Sequence, residues 1–420
     1  MQIKDKVLRS INYAKPYYDL VIVGGGIVGL SLVSKLSSHP FFQKNKILLI
    51  EKNDILEQDY SKESLRVYAM TKSSLNFLGL KGKLQGENLL YKNFCGMQVW
   101  KDDRPSYLTF DMSNISDGHY GSIVNENYIM GHLLDSLKDK NIDILIDEKI
   151  ADFDNQKNKG VDIHFAKNKS IKTGLLVASD GANSTVAKKA GVYKHGYSHH
   201  QRGLVAHLQT SGHNDFAFQK YFHNEVMGIL PLSFNRASIV WSVSPEYYQK
   251  LVDMSDTNFI EEINMKLHKR NNIKKVSNSR FIKPPLFTSL LTKRVGFPLN
   301  TMWLETYSKD NIAFIGDSAH SIHPMLGQGL NLGINDASII SKLIVDQLER
   351  GGNISQSDFL DEYSVLSMTK NQAFHTLVEI LKTAYFNENP IIDGVRDLSL
   401  DFINRTNALK TVMTRIANSD

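Results

Sequence analysis

The sequence predicts an α/β fold, in which a doubly wound dinucleotide-binding domain is interrupted by an antiparallel β-sheet domain and followed by C-terminal helices. Three observations predict it. A short β-rich run, Asp19 to Val23, opens straight into Gly24-Gly25-Gly26-Ile27-Val28-Gly29. A second buried strand, Ile312 to Ile315, stops at Gly316-Asp317 before a glycine-rich turn and a long helix. Between the two lies strand after strand with alternating side chains, rich in aromatic and β-branched residues.

The N-terminal stretch MQIKDKVLRSINYAK carries four basic residues against one acid, with Ile3, Val7 and Ile11 on one helical face. It reads either as a short targeting segment or as a surface helix leading into the first strand. The first glycine corner then satisfies GxGxxG with Gly24, Gly26 and Gly29, followed by a helix from about Ile27 to Leu36 and a strand from Lys46 to Ile50. Glu51 ends that strand, where a carboxylate accepts from both ribose hydroxyls of an adenosine and discourages a 2′-phosphate. Strand, glycines, helix, strand and acid in this order bind a dinucleotide but do not say which one.

The second corner, NIAFIGDSAHSIHPMLGQGLNLGINDA from Asn311 to Ala337, decides between them. A strand ending in a carboxylate before a helix gathers backbone N–H groups and one acceptor around a point, suiting a ligand with phosphate and hydroxyl groups. Gly327, Gly329 and Gly333 let backbone pass close to a flat ring, and the helix runs to about Leu348 before Gly351-Gly352 ends it. The positive end of that helix stabilises a cofactor that becomes anionic when reduced, and a flavin is the common one.

These residues carry a resemblance. GDSAH…HPMLGQGLNLGINDA resembles the second FAD signature of the class A flavoprotein monooxygenases, and its wording is similar to that of the ubiquinone-biosynthesis hydroxylases, the mitochondrial branch most of all. The resemblance implies FAD as cofactor, an FAD-binding Rossmann-like domain of the GR2 type, and an antiparallel sheet laid over the flavin's reactive face. By the same resemblance Asp317 contacts the ribityl and pyrophosphate part of FAD, and the Gly327-Gln328-Gly329 backbone meets the pyrimidine end.

Taken in order, SLRVYAM resembles the segment whose arginine, here Arg66, reaches the ribityl or phosphate region. GSIVNEN resembles the family's IVEN stretch, except that Asn125-Glu126 stands where the family has Glu-Asn, so position 125 offers an amide. Asp180-Gly181-Ala182-Asn183-Ser184 is similar to the family's DGxxS motif, but Thr185, Val186 and Ala187 fill the places where an arginine usually follows. Together the resemblance assigns to cofactor binding Gly24, Gly26, Ile27, Val28, Gly29, Glu51, Lys52, Arg66, Asn125, Asp180, Gly181, Gly316, Asp317, Pro324, Gly327, Gln328, Gly329 and Asn331. No catalytic residue is named and no metal is implied: His320 and His323 lack an acid cluster or metal-ligand spacing and read as turn and flavin-pocket residues.

The domain plan follows. The FAD-binding domain comprises residues 1–92, 116–200 and 296–350. Strands for the substrate domain come from 93–115 and the antiparallel sheet itself from 201–295, while 351–420 is helical. In the sheet, Leu230, Pro231 and Trp241 line the cavity or simply pack. A helix spans Thr257 to Arg270 and a polar loop Asn271 to Ser279. Beyond Pro390 the residues Val395, Leu398, Phe402, Leu409 and Met413 recur near helical spacing with Arg405, Lys410 and Arg415 nearby. This is either a basic amphipathic face for a membrane or partner, or packing on the protein's own back.

At 420 residues, 42% hydrophobic and 22% charged, the chain is an ordinary globular one with room for two connected domains. No apolar run is long enough to span a bilayer. A single cysteine, Cys95, forbids an internal disulfide and points to a reducing compartment. The net charge of +5 is scattered, which disfavours nucleic acid and suits an acidic membrane surface.

The function implied by the resemblance is an FAD-dependent hydroxylase, a monooxygenase that acts on a polyprenylated phenol of ubiquinone biosynthesis through a flavin hydroperoxide. Electrons come from NAD(P)H or a ferredoxin system, with a ubiquinone-biosynthesis complex as partner. The place is the matrix side of the mitochondrial inner membrane, peripherally bound, or in a bacterium the cytoplasmic side of the inner membrane. Two alternatives stay open: an FAD hydroxylase of a small soluble aromatic, and a non-catalytic flavin-binding assembly subunit.

Overall fold

The computed structural model describes residues 7–8, 14–44, 46–86, 88–102, 104–111, 119–166, 169–269, 281–387, 389–406 and 410. Its first sheet is built on the apolar runs Tyr17–Val23, Ile47–Glu51 and Ile142–Ile146, which pair in parallel with Lys169–Ala178 and Ile312–Phe314. Leu20, Leu48, Ile144, Leu176 and Phe314 are fully buried, as expected of parallel strands covered on both faces. Lys169–Ala178 is shared: its second half pairs with Tyr17–Val23 and Ile312–Phe314, while its first half pairs antiparallel with Gly160–Phe165. This brings the C-terminal ends of Tyr17–Val23, Lys169–Ala178 and Ile312–Phe314, and so the GGG, DG and GD turns, to one edge.

The second sheet is a broad sheet in which Lys194–Thr210 pairs with both Arg236–Val243 and Val295–Leu304. It departs from the expected wholly antiparallel pattern at one joint, where Gly96–Lys101 pairs in parallel with Phe216–Phe222. That joint connects segments far apart in the chain, so no hairpin dictates its direction. A small antiparallel sheet of Val67–Met70, Gly121–Asn125 and Tyr91–Phe94 sits between the two.

Several expectations change. Instead of a helix, Val7–Leu8 forms a short edge strand parallel to Ile144–Leu145; the rest of the basic N-terminal stretch through residue 13 lies outside the described residues. The long helix starts at Gly329, after a 3₁₀ turn at Pro324–Leu326, and runs to Glu349. Gly351, at φ +79°, closes its end with the Gly352 N–H on Gln347 O, as Gly351-Gly352 predicted. The helix near residue 260 spans Asp256–His268, and the loop expected at Asn271 to Ser279 lies outside the described residues. The C-terminal region forms Phe359–Phe386 and Pro390–Arg405, with Leu409, Met413 and Arg415 outside the described residues.

Among the described residues, no helix is long and apolar enough to cross a membrane.

Candidate functional site

The two glycine corners are pressed together. Gly24 turns at φ +107°, and a β-carbon there would stand 2.1 Å from the Ser179 carbonyl oxygen; one on Gly29 would stand 2.0 Å from Gly24 O. Only glycine allows this closeness, which lets Ile27–Leu36 start immediately above the sheet. On the opposite side, Val28 packs against the second corner. A β-carbon on Gly316 would lie 3.3 Å from both its methyls, and one on Gly333 would lie 2.9 Å from one of them.

Two helix N-termini therefore meet at one place, and neither is capped. Gly26 and Gln328 supply no side-chain cap, and neither first turn holds an acid. By contrast, Thr71, Asn125, Ser184, Ser244, Ser255 and Asn389 each cap the helix that follows them, and the helix Phe359–Phe386, also without a side-chain cap, carries Asp361 and Glu362 in its first turn. Uncapped N–H groups at two helix N-termini leave positive potential and donors suited to a pyrophosphate. Space in front is open: β-carbons on Gly26, Gly181, Gly327 and Gly329 would meet nothing within 4 Å.

The acidic residues divide into one open acceptor and several used ones. Asp317 is enclosed by protein on most sides, yet its surface is exposed, so it faces a hollow. Enclosure raises its carboxyl above the usual range, with His320 and Arg66 only partly offsetting the desolvation. Such a carboxylate is relieved by hydroxyl donors. Glu51 is buried and already accepts from Gly25 N at 2.5 Å and Asn53 N at 3.0 Å, holding the glycine turn; Lys52 beside it is exposed.

Asp180 is structural in the same sense. One oxygen accepts from Thr185 N and Val186 N; the other accepts from Ser318 Oγ at 3.0 Å, and Ser318 Oγ in turn accepts from Gly181 N. The DG and GD turns are thus stitched by Ser318, a residue the motif reading passed over.

Asn125 and Asn331 have their side-chain amides bonded within the protein. Asn125 is buried; its oxygen accepts from Ser64 N and Asn127 N, and its amide donates to Ser64 O, so the side chain is used within the cap. Asn331 likewise joins the long helix to Ala69 O and Thr71 N. The neighbouring Glu126 instead faces Arg66 and Tyr68. Arg66 Nη1 lies 3.4 Å from its Oε1, and Tyr68 donates its hydroxyl there at 3.3 Å. The inverted order Asn-Glu is what hides this: the cap takes the amide and leaves the acid one place on.

Asp336, also unnamed by sequence reasoning, holds the second turn. It is fully buried, accepts from Gly316 N at 3.0 Å, and faces His320 Nε2 at 2.6 Å. Burial works against charge on His320, but Asp336 outweighs it and raises the imidazole above its ordinary value. His323 goes the other way. Its Nδ1 accepts from Met325 N and its Nε2 faces Gln201 Oε1, with burial, His199 and Lys382 pushing it down to about 3. Pro324 opens the 3₁₀ turn and Gly327, at φ +62°, ends it.

On the sheet side, Trp241 is fully buried against Tyr247 in the second core, so it packs rather than lines a cavity. Leu230, part-exposed, joins Val67, Ala69, Met97 and Tyr120 around an apolar cluster between the small sheet and the large one. Among the described residues no group of three or more His, Cys, Asp or Glu is arranged to hold a metal ion.

Comparison with known proteins agrees with this geometry. The family model described as FAD binding domain matches residues 17–366. The chain is 28% identical to the mitochondrial ubiquinone biosynthesis monooxygenase COQ6 of Xenopus tropicalis over 434 residues, covering 95% of this chain and 92% of that protein. With the Homo sapiens protein of the same name it is 27% identical over 435 residues, covering 96% and 92%. Among solved structures, p-nitrophenol 4-monooxygenase PnpA of Pseudomonas putida superposes with a TM-score of 0.70 at 17% identity, covering 95% of this chain and 97% of that one. PqsL of Pseudomonas aeruginosa with 2-aminobenzoylacetate gives 0.69 at 17% identity, covering 93% and 100%. With both glycine corners inside the matched span, the chain belongs to the FAD binding domain family.

Proposed function

We propose that this protein is an FAD-dependent aromatic-ring hydroxylase acting on a polyprenylated phenol of ubiquinone biosynthesis, in mitochondria, on the matrix face of the inner membrane. The observation that carries the cofactor part is the closure of Val28 on Gly316 and Gly333, which joins two uncapped helix ends over one open space. The relatives' name, ubiquinone biosynthesis monooxygenase, supports the pathway and compartment.

In this reading Gly24, Gly26, Ile27, Val28 and Gly29 hold the pyrophosphate side, with Glu51 and Lys52 at the adenosine. Asp317 takes ribityl hydroxyls, Arg66 approaches the same region, and the Gly327-Gln328-Gly329 backbone meets the ring. Asn125, Asp180 and Asn331 shape the site from behind. Bound and reduced, FAD supplies the electrons that activate dioxygen.

The protein's own part is to orient an apolar ring and exclude water. Leu230, Val67, Ala69 and Met97 offer an apolar wall. This wall, together with the relatives' name, favours a lipophilic phenol over a small aromatic acid. Reduction by NAD(P)H or through a ferredoxin system, and membership of a quinone-synthesis complex, complete the proposal.

Mass spectrometry of quinone precursors in cells lacking this protein tests it. A single hydroxyl-deficient prenylated phenol should accumulate. An unchanged precursor pool overturns the assignment.

A further inference from the structure

The C-terminal helix Pro390–Arg405 is attached the wrong way round for a surface helix. Its buried side chains are Asp393, Arg396, Leu400, Asp401 and Asn404. Four of its apolar residues point outward: Ile391 is 75% exposed, Val395 60%, Leu398 72% and Phe402 63%, while Ile392 and Ile403 are part-buried. A surface helix normally buries such a stripe and wets the polar one.

The polar side is a specific anchor on the edge strand Tyr107–Asp111 and the loop before it. Asp393 receives Lys101 Nζ at 2.9 Å and contacts Arg104 and Arg396, while Asn404 bonds both Tyr107 O and Thr109 N. Asp401 lies against Ser106, and Arg396 also donates to Asp397 at 2.9 Å and to Ala384 O. The helix is therefore held in register by buried polar contacts, and its apolar stripe is presented outward.

Charge says what covers the stripe. Of the acids of this helix, Asp393 and Asp401 are buried and Asp397 is part-buried and held by Arg396, while Arg405 is exposed. A stripe of four apolar side chains with no exposed acid and a cation at its end matches an anionic lipid surface. The same anchor reaches the proposed flavin turn: Tyr385, just before this helix, stacks on Tyr221 at 4.0 Å and shares an apolar cluster with Met325.

We propose that Ile391, Val395, Leu398 and Phe402 insert as one face into the headgroup and acyl boundary of an anionic bilayer, docking the enzyme beside its lipophilic substrate. This deepens the membrane reading above and rests on it.

The test uses the full FAD-loaded chain sedimented with phosphatidylcholine vesicles, with and without anionic phospholipid. The variant Ile391→Gln, Val395→Gln, Leu398→Gln, Phe402→Gln keeps helix-compatible residues at exposed positions, so flavin absorbance and melting should hold. Vesicle partition should fall on the order of a hundredfold, and Arg405→Glu should weaken binding to the anionic vesicles alone. Wild-type binding retained by the fourfold variant overturns the helix assignment while leaving the membrane reading standing. Failure of the wild type to bind either vesicle overturns the membrane reading itself. A wild-type dimer that becomes monomeric in the variant, without vesicle binding, assigns the face to a second copy and overturns the proposal.

Discussion

One methyl group of Val28 lies 2.9 Å from where a β-carbon would stand on Gly333, and the other 3.8 Å, so helices starting more than three hundred residues apart touch at this side chain. A residue of the first glycine corner is thus packed into the second. Gly333→Ala should overfill this contact, lowering stability by roughly 1–3 kcal/mol and loosening FAD. Val28→Ala should restore part of the loss in the double variant, the remainder being the crowding against the Gly316 Cα at 3.1 Å, a coupling that calorimetry and flavin titration both read.

Asp317 separates binding from folding. It is enclosed, open on one side, and its carboxyl is raised by desolvation. Asp317→Ala should leave melting of the cofactor-free protein unchanged or slightly higher, because an unfavourable charge is removed. FAD affinity should fall about 10- to 100-fold, the loss of hydrogen bonds to a charged group. Asp180→Ala should do the reverse, lowering the melting temperature through Ser318 and the Thr185–Lys189 helix it caps.

Acid should weaken the turn that carries Gly327. His323 is held down to about 3 and His199 to about 4, chiefly by burial, against 6.5 for an ordinary imidazole. Their neutral forms are the folded ones, so stability is complete above pH 6.5 and falls as the unfolded chain takes up protons between 6.5 and about 3. His320, raised by Asp336, contributes in the opposite sense: full below 6.5 and lost as pH rises through its higher folded value. Melting scans across pH should show an acid limb that His323→Gln flattens, since Gln keeps no titrating group.

Much of this was legible in the chain. Strand, glycines and acid are local patterns, and both corners stand where they were read. What was hidden depends on distant partners. The edge strand Val7–Leu8 exists because Ile144–Leu145 offers it hydrogen bonds, and nothing in a basic stretch announces that. Asp336 reads as one more polar residue on a helix, and its burial against Gly316 N and His320 comes from tertiary packing. Periodicity after Pro390 revealed an apolar stripe but carries no sign for in or out. Asp393, Arg396 and Asn404 on the opposite face decided it.

Removing Asp393 should detach that helix. Asp393→Ala leaves Lys101 with the Asn387 carbonyl and Arg396 with Asp397, so the loss is that of charge-assisted hydrogen bonds, about 1.5–3 kcal/mol. Proteolysis within 387–406 should accelerate. A rate equal to wild type would show that the anchor lies elsewhere.

One flavin spanning both corners is the claim on which the rest stands, and titration of the cofactor-free chain with FAD tests it most directly. The account predicts a single equivalent per chain, with Glu51→Gln and Asp317→Ala each weakening that same equivalent. Two independent equivalents, or a ligand lost at one corner while FAD stays tight at the other, would contradict it.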